Sequence, residues 1–182
     1  MTLRAGLALA VALAVVLALP AAAAVRTLSG TVTLASFVLQ QRCGAKQGGT
    51  KAKPKLIVNC SQIGAFQGKP ARAGVSYAWA WTLPVLANGR TSANGPEKGR
   101  LGLNFGGGNI VYVATTGAQR SVGKSTPAKS QAKTAGTWKV TSGGTGQYKG
   151  ARGSGTYTFS TTLQSSRFTV AKLVLRGTIR TG

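Results

Sequence analysis

The sequence contains no histidine and no aspartate, and Glu97 is its only acidic residue. Mechanisms that need two carboxylates or a Ser-His-Asp triad are therefore excluded. Zinc sites need clustered Cys or His ligands, and hard-cation sites need several carboxylates. The two cysteines and one glutamate of this chain supply neither set. We accordingly expect no metal, no cofactor and no catalytic residue.

The first 24 residues have the layout of a secretory signal peptide. Arg4 is followed by an apolar run over residues 5–19, then by Pro20 and an alanine cluster that contains an Ala-x-Ala site. A membrane helix needs about 20 apolar residues, and no twin arginine is present. We expect export by the general secretory route, which makes the mature protein secreted, periplasmic or associated with the cell envelope. The remainder, 25–182, has no further long apolar run, which predicts a single domain without a transmembrane span.

Cys43 and Cys60 are the only two cysteines. Export to an oxidising compartment favours a disulfide between them. Closure of a loop of this length stabilises a fold by about 3 kcal/mol. The alternative is a thiolate nucleophile, because neighbouring lysines lower the pKa of a thiol, but no histidine is available as its base.

Apolar residues in the region 25–182 alternate with a period of two, which is typical of β-strands. No segment combines helical spacing with a capping signal. Glycine, proline and asparagine separate eight strand candidates, at residues 28–39, 55–61, 74–83, 101–105, 110–116, 137–141, 155–163 and 167–179. The spacing predicts an all-β single domain that is either a closed antiparallel barrel or a β-sandwich.

Tyr77, Trp79 and Trp81 share one face of the segment 74–83, and the other face holds only serine, alanine and threonine. We expect the aromatic face to point into the barrel, where it fills the core or lines a cavity for a small apolar ligand. An exposed platform that stacks on sugars or bases is the alternative. Further candidates for the same lining are Tyr112, Trp138 and Tyr157.

The segment 136–155 reads GTWKVTSGGTGQYKGARGSG. It resembles the Gly-Gly-Thr-Gly-x-(Tyr/Phe)-x-Gly-Ala-x-Gly segment of the allene oxide cyclase and dirigent-like barrel superfamily, which includes uncharacterised exported bacterial proteins. The resemblance implies an eight-stranded antiparallel barrel with a central cavity. From the residues themselves, Gly143, Gly144 and Gly146 are expected to adopt positive φ at a chain reversal that Tyr148 covers.

The catalytic residues of that superfamily do not transfer to this chain. Dirigent-type catalysis uses aspartates with cavity arginines, and cyclase-type sites use a buried glutamate. Glu97 lies within the sequence NGPEKG at residues 94–99, which is typical of a turn. Charged residues in such turns are normally solvated, so we expect Glu97 to be exposed and without a catalytic role.

Lysine and arginine total 23 against one acidic residue, which leaves a formal charge of +22. At most one salt bridge to a carboxylate side chain is possible, so the cations must be solvated. Excess charge can serve solubility, or it can attract polyanions such as acidic polysaccharide, cell-envelope phosphate or extracellular nucleic acid. No nucleic-acid-binding motif is present. The candidate polyanion contacts are Lys46, Lys51, Lys53 and Lys55 between the cysteines, and Arg120, Lys124, Lys129 and Lys133 in a second tract.

These features predict a secreted, strongly basic, non-enzymatic β-barrel that binds acidic surfaces or a small apolar ligand. The alternative is an isomerase-, cyclase- or dirigent-like enzyme that acts on an apolar substrate in the barrel cavity, with tyrosine or lysine as its proton carrier. A surface-coat protein is a third possibility, which like-charge repulsion opposes.

Overall fold

A computed structural model describes residues 24–34, 42–122, 129–164 and 168–181. The predicted signal peptide lies outside these residues, apart from Ala24. In the part of the chain described, no helix has the length and apolar character needed to cross a membrane.

The described residues form nine β-strands and one 3₁₀ turn at Gly146–Tyr148. Alternation of buried and exposed side chains along eight of these nine strands places one face of each in a common core. The strands are β1 (Ala24–Leu34), β2 (Arg42–Thr50), β3 (Lys53–Lys69), β4 (Ala73–Pro84), β5 (Gly95–Asn104), β6 (Ile110–Ser121), β7 (Lys129–Val140), β8 (Arg152–Gln164) and β9 (Phe168–Thr181).

Eight of the strands close into an antiparallel barrel. The sheet order is β1-β9-β8-β7-β6-β5-β4-β3-β2, and a further pairing of β1 with β3 completes the ring. The long strand β3 makes this possible, because residues 64–69 pair with β1 and residues 53–61 pair with β2 along the same edge. Strand β2 is therefore an extra strand outside the ring. The predicted eight-stranded barrel is confirmed, and the sandwich alternative is wrong.

Each of the eight predicted strand segments overlaps one strand of the barrel. The additional strand, β2, is not predicted from the sequence. The sequence predicts a strand at residues 55–61 but none at β2, and these two strands form the β2–β3 hairpin between the cysteines. Strand β2 carries glycine, lysine and glutamine and is exposed along most of its length, so it has no apolar alternation to reveal it. Lysine on such an edge also discourages pairing with other chains.

The predicted disulfide is confirmed. Cys43 and Cys60 are direct cross-strand partners on β2 and β3, and their sulfur atoms are bonded. The bond therefore ties the extra strand β2 to the barrel.

The glycine-rich segment connects β7 to β8. Gly143 and Gly146 have φ angles of 97° and 57°, as predicted, whereas Gly144 is not among the glycines with positive φ. A Cβ at Gly144 would lie 2.4 Å from the backbone oxygen of Tyr148, so that position needs glycine for close approach. Tyr148 is buried, and its ring centroid lies 5.2 Å from that of Phe105.

Candidate functional site

The side chain of Glu97 lies inside the barrel. Glu97 is the third residue of β5, pairs with Trp81 of β4 and Gly117 of β6, and has no solvent-accessible surface. The prediction of an exposed turn residue is therefore wrong. Local composition favoured a turn, but pairing to two neighbouring strands extends β5 through Gly95 and Pro96 and turns the carboxylate inward.

Two tyrosines donate hydrogen bonds to the same oxygen of this carboxylate. Tyr77 Oη lies 2.6 Å from Glu97 Oε1, and Tyr157 Oη lies 3.1 Å from it. Thr115 Oγ1 lies 3.0 Å from Tyr77 Oη. Because the phenol proton of Tyr77 is directed at the carboxylate, we infer that the Thr115 hydroxyl donates to Tyr77. These four side chains form a buried polar cluster, called here the Glu97 cluster.

Burial changes the acid–base behaviour of the two phenols. Loss of solvation, and then the negative charge of Glu97, raise the pKa of Tyr77 well above its usual value. The same two causes raise the pKa of Tyr157. Both phenols therefore stay protonated over the physiological range and act as hydrogen-bond donors to the carboxylate.

Two glycines on the inner face make room for these phenols. A Cβ at Gly99 would lie 2.7 Å from Tyr77 Oη, and a Cβ at Gly117 would lie 2.6 Å from Tyr157 Oη. Real side chains do not approach so closely, so any larger residue at either position would displace a tyrosine from Glu97. The glycines thus position the Glu97 cluster, although neither contributes a polar side-chain atom.

The second carboxylate oxygen is buried without a hydrogen-bond partner among the described residues, as Glu97 Oε2. Other buried polar atoms on the inner face share this property, namely Nε1 of Trp79, Nε1 of Trp81 and both amide atoms of Gln62. Buried polar groups are normally paired with protein or with water. Among the described residues, the inner face therefore has unpaired acceptor oxygens on Glu97 and Gln62 and unpaired donor nitrogens on Trp79, Trp81 and Gln62.

This arrangement can hold a carboxylate in one orientation with one oxygen occupied and the other free to accept a proton or a hydrogen bond. Glutamate and aspartate carboxylates are among the side chains that act as general bases in proteins. Among the described residues, no group of three or more His, Cys, Asp or Glu comes together to hold a metal ion.

The aromatic residues predicted to line the interior divide into two groups. Tyr77, Trp79, Trp138 and Tyr157 are buried in the core, and Trp81 packs against it while partly exposed. Tyr112 is different. Its neighbours Val111 and Val113 are buried, whereas Tyr112 is partly exposed and lines an outer groove beside Arg100 and Gly102. The period-two pattern of β6 therefore places Tyr112 on the outer face, and its assignment to the cavity lining is corrected.

The cations occupy the opposite side of the sheet. Every lysine and arginine whose side chain is described is exposed, apart from the partly exposed Arg26. The only carboxylate side chain of the protein is buried at Glu97. The outer surface therefore carries positive side chains and no negative ones.

The predicted basic tracts are only partly described. Lys46, Lys53 and Lys55 are exposed on the β2–β3 hairpin, and Lys51 is exposed in its turn. In the second tract, Arg120 on β6 and Lys133 on β7 are exposed, and Lys129 is the first residue of β7. Lys124 lies outside the described residues.

One signal in the sequence could have located Glu97. Leu101 and Leu103 are buried on the inner face of β5, and stepping back by twos from them reaches Gly99 and Glu97. Extension of the predicted strand by this period would have placed the carboxylate inside. The two tyrosine partners could not be found in this way, since they come from β4 and β8.

The chain matches no protein-family model, no curated protein and no solved structure. The resemblance to the allene oxide cyclase and dirigent-like superfamily therefore rests on the glycine-rich segment alone.

Proposed function

We propose that this protein is an exported cationic barrel that binds anionic polymers at or outside the cell envelope. The separation of charge carries the proposal, because the one carboxylate side chain is enclosed while the lysines and arginines whose side chains are described face outward. A surface whose charged side chains are all positive attracts polyanions over roughly the Debye length, about 8–10 Å at physiological salt. The signal-peptide layout of residues 1–24 supports export by the general secretory route.

Salt-dependent retention on heparin and on anionic vesicles tests this function. Binding driven by counterion release should be strong near about 50 mM salt and fall steeply by about 200 mM. Lysine acetylation, which removes the lysine charges but leaves the arginines, should weaken retention, whereas dimethylation, which keeps the lysine charges, should not. Tryptophan emission of each preparation reports that the barrel is intact. The proposal is contradicted if the protein is not retained at low salt, or if its retention does not depend on salt concentration.

A second candidate function is favoured by the Glu97 cluster. We propose, as this second candidate, a proton transfer of the isomerase or cyclase type on an apolar molecule enclosed by the barrel. Glu97 Oε2 would accept a proton from one substrate atom and return it to another, while Tyr77 and Tyr157 hold the other oxygen. The resemblance of the segment 136–155 to cyclase-like barrels supports this proposal.

Binding of a neutral apolar dye such as N-phenyl-1-naphthylamine tests access to the interior. A saturable site with one dye per chain, whose affinity changes in Glu97→Gln but not in the outer-face control Tyr112→Phe, supports an enclosed binding site. Lack of saturable binding, or equal effects of the two substitutions, counts against it. A neutral dye is needed because an anionic one would bind the cationic surface.

A further inference from the structure

The strand register places a row of cations across the outer face of four strands. Arg120 of β6 is the direct partner of Lys133 of β7, Lys133 is the partner of Ser160 of β8, and Ser160 is the partner of Lys172 of β9. Neighbouring strands lie about 4.8 Å apart. All three cations in the row are exposed, so their charged ends share one stretch of surface.

Arg120 and Lys133 form a like-charge pair at the most crowded point of this row. Like charges directly opposite each other destabilise a sheet, and the outer surface has no carboxylate side chain to relieve them. An external anion between the two side chains would remove this repulsion. The pair is therefore poised to bind an anionic group.

A groove of about 680 Å³ lies at the same place. Ala118 and Ala135 are small residues of its lining, and Thr158 and Ser160 supply hydroxyl groups beside Arg120 and Lys133. The volume falls in the range of about 300–1,000 Å³ that holds organic ligands, and exceeds the need of a lone inorganic ion.

We propose that this groove binds a sulfated or phosphorylated sugar unit of an anionic polysaccharide. Arg120 and Lys133 contact the tetrahedral oxyanion, and the sugar ring lies over the small alanines. The Ser160 hydroxyl donates to the backbone oxygen of Lys172 at 3.4 Å, so Thr158 supplies the hydroxyl group for the ligand. Single-stranded nucleic acid fits less well, because bases need exposed aromatic faces for stacking. The aromatic residue of the lining, Phe159, is buried in the core. The proposal rests on the polyanion-binding function and assigns that function a specific site.

A charge-matched pair of double variants tests the site. The test variant is Arg120→Ser/Lys133→Ser. The control is Lys139→Ser/Arg176→Ser, which also removes one lysine and one arginine from exposed outer positions. Lys139 pairs with Ser154 and Arg176 with Thr156, so neither faces another cation. The probes are a heparin hexasaccharide and a single-stranded DNA oligonucleotide at equal salt concentration, with affinity measured by titration calorimetry.

The test variant should lose about tenfold more heparin affinity than the control variant, a difference of about 1.4 kcal/mol. DNA affinity should fall by the same factor in both variants. The charge-preserving swap Arg120→Lys/Lys133→Arg should keep most of the heparin affinity. Thermal unfolding checks folding, and removal of the like-charge pair should raise the melting temperature more than the control does.

Failure of the wild-type protein to bind heparin would overturn the polyanion function itself. Binding by wild type with equal losses in the two double variants would overturn only the site, since net charge alone would then explain the affinity. Selective loss of DNA binding without selective loss of heparin binding would assign the groove to nucleic acid and overturn the polysaccharide proposal.

Discussion

Removal of one tyrosine hydroxyl from the Glu97 cluster should destabilise the barrel measurably. Tyr157→Phe deletes the donor that lies 3.1 Å from Glu97 Oε1 and leaves the ring in place. A hydrogen bond to a charged group contributes about 1.5–3 kcal/mol, and its loss here leaves a buried carboxylate less well solvated. We expect the free energy of unfolding to fall by about 1.5–3 kcal/mol.

A double-mutant cycle separates the effect of the carboxylate charge from the effect of the hydroxyl. In the Glu97→Gln background the acceptor is neutral, so Tyr157→Phe should cost only about 0.5–1.5 kcal/mol. The coupling between the two positions should then be about 1–1.5 kcal/mol. Urea unfolding followed by tryptophan fluorescence measures all four proteins.

Tyr112→Phe is the matched control for this cycle, because it removes the same hydroxyl from a partly exposed ring on the outer face. It should change stability by no more than about 0.5 kcal/mol. If Tyr157→Phe is as mild as this control, or if the cycle shows no coupling, the two phenols do not hold the carboxylate and the Glu97 cluster loses its physical basis.

Three further predictions concern pH, close packing and the disulfide. Burial and the charge of Glu97 raise the pKa of Tyr157 in the folded state. The contribution of the Tyr157 hydroxyl to the free energy of unfolding is therefore complete below pH 10 and is lost progressively above it, because the phenol ionises in the unfolded chain first. The stability gap between wild type and Tyr157→Phe should therefore shrink above pH 10 in urea titrations, and a constant gap would be inconsistent with this. Gly117→Ala should cost about 1–3 kcal/mol in the same assay, because its Cβ would meet the phenol oxygen, whereas Gly44→Ala has open space and should be nearly neutral. Cys43→Ala/Cys60→Ala should lower the free energy of unfolding by at most about 3 kcal/mol. It should speed amide hydrogen exchange in the β2–β3 hairpin rather than in the eight-stranded ring, and a uniform loss of exchange protection would contradict the peripheral placement of β2.

The two-residue alternation of apolar side chains located the strands that contain such side chains. It missed the strand segments that contain none. It identified β4 well, because Val75, Tyr77 and Trp79 alternate with small residues. It failed at β2, where exposed glycine and lysine leave no pattern, and at the start of β5, where glycine, proline and charge imitate a turn. In both places the strand exists because a neighbouring strand supplies its hydrogen bonds.

The candidate sites depend on pairs of residues far apart in the chain. Sixty residues separate Glu97 from Tyr157, yet the barrel brings them to hydrogen-bond distance. Local pattern cannot reveal such a contact, nor the position of Arg120 opposite Lys133, because a shift of one residue in register would break both.

The amino-acid sequence by itself determined the all-β class, the excess of positive charge and the lack of histidine and aspartate chemistry. These follow from composition and from the two-residue period, which depend only on neighbours along the chain. Ring closure, the outward placement of Tyr112, the enclosure of Glu97 and the row of facing cations were decided by the tertiary structure. The physical reason is that strand register and barrel closure are set jointly by all the strands, and register determines which side chains meet.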